Sequence, residues 1–169
     1  MLSDAELDRY ARQIILPQFG GAGQAKLKAS HVAVIGAGGI GCPAITYLAA
    51  AGVGKLTIID HDRIELSNLH RQPLFTDADL DALKTEVAAE AARRINPHVE
   101  VAAVAVRLDD ANAAVLLPGA CLILVERSQH FAVGGDALGD LGDFCVRWGR
   151  AVEPSREQLG AILIADGQR

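Results

Sequence analysis

The sequence predicts an α/β fold built on a mostly parallel sheet, and three observations predict it. Short β-branched runs alternate with longer helical patterns along most of the chain. One of these runs leads straight into Gly36-Ala37-Gly38-Gly39-Ile40-Gly41, a glycine loop that opens a helix. The next apolar run ends in Asp60-His61-Asp62, and strand, helix and strand together take about thirty residues, the length of one βαβ unit.

Composition sets the outer limits. A chain of 169 residues can form one domain with its own core. With 50% hydrophobic and 22% charged residues it is globular rather than disordered. A formal charge of −5 gives no electrostatic reason to expect nucleic acid or an anionic membrane as a partner. The apolar stretches are too short, or too broken by glycine, to cross a bilayer, and the polar start is unlike a secretory leader. A cytoplasmic protein is the expectation. The three cysteines, Cys42, Cys121 and Cys145, are widely spaced and form no CxxC pair, so they read as reduced thiols rather than zinc ligands.

Residues 3–15 form the first predicted helix. Ser3 and Glu6 make a capping box, and Leu7, Tyr10, Ala11, Ile14 and Ile15 share one face. Pro17 stops it. Gly20, Gly21 and Gly23 then read as a flexible connection to a short helix over 23–29. Residues 31–35 are the first strand, and residues 40–51, Ala-rich with Pro43 in the first turn, a helix. Residues 55–59 are apolar after the lysine, as an internal parallel strand would be. The spacing predicts a long helix over 77–95, ended by Asn96-Pro97, and then a strand over 99–106. A short helix over 109–117 and a strand over 121–125 follow, with a packed segment at 144–148 and a last strand at 159–164.

The glycine spacing has a direct use. Gly36 permits a tight turn, Gly38 lets backbone approach a ligand, and Gly41 lets helix and strand pack closely. Backbone N–H groups and the helix dipole there favour a phosphate. The lysine of an ATPase phosphate loop is absent, and the loop alone leaves a dinucleotide cofactor open. Asp60, at a strand end about twenty residues beyond Gly41, suits ribose hydroxyls, with Asp62 two residues on. The loop Ser67-Asn68-Leu69-His70-Arg71-Gln72 adds amides and a guanidinium that can brace phosphate. Lys84 supplies a further positive charge near a helix start. No hydrolytic triad is evident, and the five histidines lack metal-ligand spacing, so no protein metal site is assigned.

In this ordered set the chain closely resembles the ThiF/MoeB/HesA family, bacterial relatives of ubiquitin-activating enzymes. The resemblance runs from Leu2-Ser3-Asp4 and Arg9-Tyr10-Ala11-Arg12-Gln13 through Gly36 to Gly41, Ala51-Gly52-Val53-Gly54, Asp60-His61-Asp62 and the 67–72 loop to Lys84 and Arg94-Ile95-Asn96-Pro97. It implies a Rossmann-like domain over 1–169: an N-terminal helical extension at 1–29, a nucleotide-binding core at 30–125 and a divergent region at 126–169. Relative to the family the fold is expected to be incomplete at its C-terminus. The implied activity is ATP-dependent adenylation of the C-terminal glycine carboxylate of a ubiquitin-like sulfur carrier.

By that resemblance Gly36, Gly38, Gly39 and Gly41 form the nucleotide loop and Asp60 and Asp62 the ribose end. Asn68, Arg71 and Lys84 would lie along the phosphates, and Gln72 matches the nucleotide-binding motif without a defined role. Arg71, Lys84 and Arg12 would be the catalytic cations, with Arg12 reaching the ATP site of the second subunit of a homodimer. ATP and Mg²⁺ are the implied cofactors. The family pattern Asp-x-x-Asp-Asn corresponds here to Glu126-Arg127-Ser128-Gln129-His130. Gln129 therefore stands where an aspartate for Mg²⁺ is expected, and a neutral amide is a poorer ligand for a hard cation. The alternative expectation is a member without turnover, acting as a nucleotide-binding or protein-interaction module.

Overall fold

The computed structural model describes residues 1–109, 111–117 and 122–125, for Ala114 and residues 122–125 the backbone only. Three short helices come first: α1 (Asp4–Arg9), α2 (Ala11–Ile14) and α3 (Gly20–Ala29). The alternating part follows as β1 (His31–Ile35), α4 (Gly41–Ala51), β2 (Lys55–Ile59), α5 (Lys84–Ile95), β3 (Glu100–Val104), α6 (Ala113–Leu116) and β4 (Leu122–Val125). The segments expected at 144–148 and 159–164 lie outside the described residues.

The four strands form one sheet in the order β3-β2-β1-β4, and every pairing is parallel. The chain steps outward from β1 to β2 to β3, then returns to pair β4 with the other side of β1. That reversal makes the carboxyl end of β1 a topological switch point, where ligands of open α/β sheets bind. The glycine loop leaves the sheet at this end.

β1 and β2 are buried at every position after the first, which is why both read as unbroken apolar runs. Val32, Val34, Leu56 and Ile58 join Ile45 and Ala49 of α4 and Ala88, Ala89 and Ala92 of α5 in one core. The alanines recur at helical spacing, so α4 and α5 pack against each other through small residues. Each fully buried Leu or Ile contributes about 1.5–3 kcal/mol through the apolar area it removes from water. No helix among the described residues is long and apolar enough to cross a membrane.

Five expectations need correction. The first helix is not continuous over 3–15: its capping box forms as expected, but the helix breaks at Tyr10. Tyr10 is drawn into the interior, where its hydroxyl accepts a bond from Asn96 Nδ2 at 2.8 Å. The glycines at 20, 21 and 23 are not a flexible link but the first turns of α3. A Cβ on Gly23 would come within 2.8 Å of the Phe19 ring, so the glycine admits a close contact.

The helix expected from 77 starts only at Lys84. Asp77–Asp79 is a single 3-10 turn, closed by Thr76 N–H and Oγ1 donating to Asp79 Oδ2 at 2.8 and 2.7 Å. Residues 81–84 are then taken by the chain beyond β2. Asp81 N–H donates to Ile64 O, Ile64 N–H to Ala82 O and Lys84 N–H to Asp62 O. Arg63 and Leu83 form an antiparallel bridge. Long-range backbone pairing overrides the local helical periodicity. The third strand and the short helix after it are also trimmed, to Glu100–Val104 and Ala113–Leu116.

Buried amides lock the N-terminal helices onto the end of α4. Gln13 Nε2 and Gln24 Nε2 both donate to Ala51 O, at 3.1 and 2.9 Å, and Gln13 also donates to Gln24 Oε1 at 2.7 Å. Asn96 Nδ2 donates to Ala49 O at 2.7 Å. Ala51 O, at the end of the helix, is answered by these side chains, and Ala49 O takes the Asn96 amide beside the Gly52 N–H at 3.1 Å. Gly52 takes φ 86 in the turn that closes α4, and Gly54 lies so close to α3 that an added Cβ would sit 1.8 Å from Lys28 O.

Gly54→Ala should therefore destabilise the domain by roughly 3 kcal/mol, because backbone rather than a side chain must move. Gly21→Ala, on helical backbone with nothing within 4 Å of the added methyl, should be neutral or gain up to about 1 kcal/mol. Urea unfolding of the two variants checks the contrast, and equal stability would refute it.

The Lys28 ammonium, 2.7 Å from Glu6 Oε2, together with the Ser3 backbone N–H, holds the Glu6 carboxyl at about 2, below its ordinary value of 4.5. The ionised form is the one the fold favours, so this stabilisation is complete above about 4.5 and disappears as pH falls toward about 2. Glu6→Gln should flatten that part of a stability-against-pH curve.

Candidate active site

The site begins with one carboxylate. Asp60, 3% exposed, follows β2 and turns both oxygens onto backbone. Ala37 N–H donates to Oδ2 at 2.7 Å and Asp62 N–H to Oδ1 at 2.8 Å. The first bond fastens the glycine loop to the end of β2, and the second shapes the turn into the next segment. The sequence pattern suited Asp60 to ribose. In the fold one bond to each oxygen holds two loops together, and Asp60, which also lines the cavity, keeps acceptor capacity on both oxygens.

Gly36 leaves β1 with φ 94, and its N–H donates to Ile59 O at 2.8 Å. That positive φ is the conformation that requires glycine. Gly41 is buried in the first turn of α4, which starts without a capping side chain. Gly38 and Gly39 reach the cavity itself. A Cβ on Gly39 would meet Arg71 Cγ and the Arg71 carbonyl at 3.7 Å, so the glycine loop and the 67–72 loop are in near contact.

The cavity has a volume of about 390 Å³. Gly38 and Gly39 line it with Asp60, Asp62, Asn68, Arg71, Gln72 and Lys84, all identified from the sequence. Arg63 and Glu65 line it too, and were not singled out there. Their signal was position: a charged pair inside the short link between two motif segments. Arg12 does not line the cavity; it is exposed on α2. Gly36 and Gly41 shape the loop without lining it.

Each wall residue is held locally. Asn68 is buried in a 3-10 turn, Leu66–Asn68, and its Oδ1 accepts from Glu65 N–H at 3.3 Å. Arg71 Nη1 donates to Ser67 O at 2.9 Å, which fixes one edge of the guanidinium. The Gln72 side-chain oxygen is buried and has no partner among the described residues, and the Thr85 hydroxyl beside Lys84 is in the same condition. Gln72 lines the cavity and Thr85 does not.

Lys84 carries the main electrostatic message. Its side chain is 7% exposed, and Nζ lies 3.0 Å from Oδ2 of Asp62, whose side chain is 43% exposed. Lys84 also opens the 12-residue helix α5, at the positive end of its dipole. A nearly buried cation at a helix start is unfavourable unless an anion answers it. Asp62 is that anion within the protein, and a phosphate group would serve the same purpose.

Mg²⁺ is held by one or two carboxylates together with substrate phosphates rather than by an all-protein cage. Ligand atoms of Asp60, His61 and Asp62 lie within 4.8 Å of one another. Asp60 accepts two N–H groups and Asp62 pairs with Lys84, and both carboxylates keep further lone pairs. Gln129, which the family resemblance sets at the metal, lies outside the described residues.

A glycine loop at a sheet switch point, facing clustered cations, defines an α/β protein of the nucleotide-binding class. The chain belongs to the ThiF family, which it matches over residues 10–125. It is 50% identical over 123 residues to the molybdopterin-synthase adenylyltransferase of Escherichia coli, covering 73% of this chain and 49% of that one. It is 48% identical over 126 residues to the sulfur carrier protein adenylyltransferase of Thermus thermophilus, covering 75% and 46%. The chain thus spans about half the length of the curated relatives it matches. Among solved structures, E. coli tRNA N6-threonylcarbamoyladenosine dehydratase in complex with ATP superposes with a TM-score of 0.69 at 29% identity, over 74% of this chain and 51% of that one. E. coli MccB with AMPCPP and MccA superposes with 0.69 at 32%, over 83% and 42%.

Asp60→Asn should cost roughly 2 kcal/mol, because the amide cannot accept from both N–H groups through charged oxygens. Denaturant unfolding checks this. Unchanged stability would mean that Asp60 is not the clasp between the loops.

Proposed function

We propose that this chain is the nucleotide-binding part of a cytoplasmic, ATP-dependent adenylyltransferase that activates the C-terminal glycine carboxylate of a ubiquitin-like sulfur carrier. The observation that carries the reading is the convergence of Gly38, Gly39, Asn68, Arg71 and Lys84 on one cavity. Its curated relatives at about half identity are described as adenylyltransferases, two of them for molybdopterin synthase and one for a sulfur carrier protein.

In this reaction a carboxylate oxygen of the carrier attacks the α-phosphorus of ATP. The bond from that phosphorus to the bridging oxygen breaks, and pyrophosphate leaves with the electron pair. The carboxylate is already a nucleophile, so the step needs placement and charge stabilisation rather than a strong base. Lys84 and Arg71 neutralise the departing phosphates, and the glycine loop fixes the nucleotide against the sheet. Arg12, exposed and outside its own cavity, would act on the second subunit of a homodimer.

Gln129 favours a second reading, in which nucleotide binds without turnover because the metal-associated carboxylate is missing. ATP-dependent pyrophosphate exchange with a sulfur-carrier protein separates the two. On the first reading exchange occurs and Lys84→Ala lowers it about 100-fold. Mixing Arg12→Ala with Lys84→Ala chains should then restore about a quarter of it, since only one site per mixed dimer is intact. ATP binding by calorimetry without exchange would leave the second reading, and no ATP binding would remove both.

A further inference from the structure

Arg63 is a cavity cation that the family motifs leave unexplained. It sits on the short ribbon beyond β2, bridged to Leu83, one residue before Lys84. Its Nη1 donates to Asp81 O at 2.5 Å. Asp81 is the one described residue other than glycine with positive φ, 65°, in the turn that presents this carbonyl. The guanidinium is thus anchored through one nitrogen, and its other N–H groups have no partner among the described residues.

The charge balance of the wall shows what Arg63 adds. The lining carboxylates are Asp60, Asp62 and Glu65, and the lining cations are Arg63, Arg71 and Lys84. Without Arg63 the carboxylates outnumber the cations, and one of the two remaining cations, Lys84, is already paired with Asp62 at 3.0 Å. The lining then carries a net negative formal charge, and the glycine-loop N–H groups alone would have to offset it. With Arg63 it is balanced, and two guanidiniums, each held at one edge by a backbone carbonyl, present forked donors to an anion. Anchoring lowers the entropy lost when the ligand binds.

We propose that Arg63 binds the phosphate chain of the nucleotide and sets the preference of this site for phosphorylated nucleotide over nucleoside. The inference rests on the nucleotide-binding reading above. It is tested by titrating the chain and its Arg63→Gln and Arg63→Lys variants with ATP by calorimetry, and with adenosine by ligand-observed NMR. Arg63→Gln should weaken ATP about tenfold and leave adenosine unchanged, and Arg63→Lys should recover part of the loss. Adenosine binding reports that the variant site is folded. An ATP affinity unchanged in Arg63→Gln, or an equal loss for ATP and adenosine, overturns the role of Arg63 while nucleotide binding stands. Failure of the unsubstituted chain to bind either ligand overturns the functional reading, and this inference with it.

Discussion

The site depends on where two strands release the chain, and the Asp60 carboxylate holds those two ends together. One oxygen takes the Ala37 N–H of the glycine loop and the other the Asp62 N–H of the turn after β2. A buried carboxylate is tolerated because each oxygen has a donor, and these two charge-assisted bonds offset part of its desolvation. Everything that lines the cavity hangs from these loops. Gly38 and Gly39 belong to the first, while Asp62, Arg63 and, through a backbone bond from Lys84 to Asp62, the start of α5 belong to the second.

The scaffold beneath is held by the same kind of device on a larger scale. The last carbonyls of α4 are buried, and amides from Gln13, Gln24 and Asn96 reach them. An unmade bond there would cost more than a made one contributes, so the N-terminal helices are required to complete the interior. Gly52 and Gly54 allow the approach, one through its positive φ and both through the missing Cβ. Residues that carry the family resemblance, Tyr10, Gln13 and Asn96 among them, are therefore hydrogen-bonding groups of the scaffold.

Much of this was legible in the sequence. The parallel strands appeared as unbroken apolar runs because both faces are buried, and the glycine loop was placed because its turn admits little else. Of the cavity wall, Gly38, Gly39, Asp60, Asp62, Asn68, Arg71, Gln72 and Lys84 were all identified. What failed was the start of α5. The pattern over 77–95 is helical, yet residues 81–84 pair with the chain at 62–64, and that pairing is invisible to any local window. The same pairing brings Arg63 to the cavity, so the residue and the misplaced helix start were missed for one reason.

The sequence by itself determined the βαβ order and the phosphate-type loop, since these rest on local spacing and on the conformational needs of glycine, and its ordered motifs carried the resemblance to the ThiF/MoeB/HesA family. The tertiary structure alone decided which charges face each other. It turned Asp60 inward, set Lys84 against Asp62 at the head of a helix, and added Arg63 to the wall. Coulomb energy depends on distance and burial, and neither is encoded in the spacing of residues along a chain.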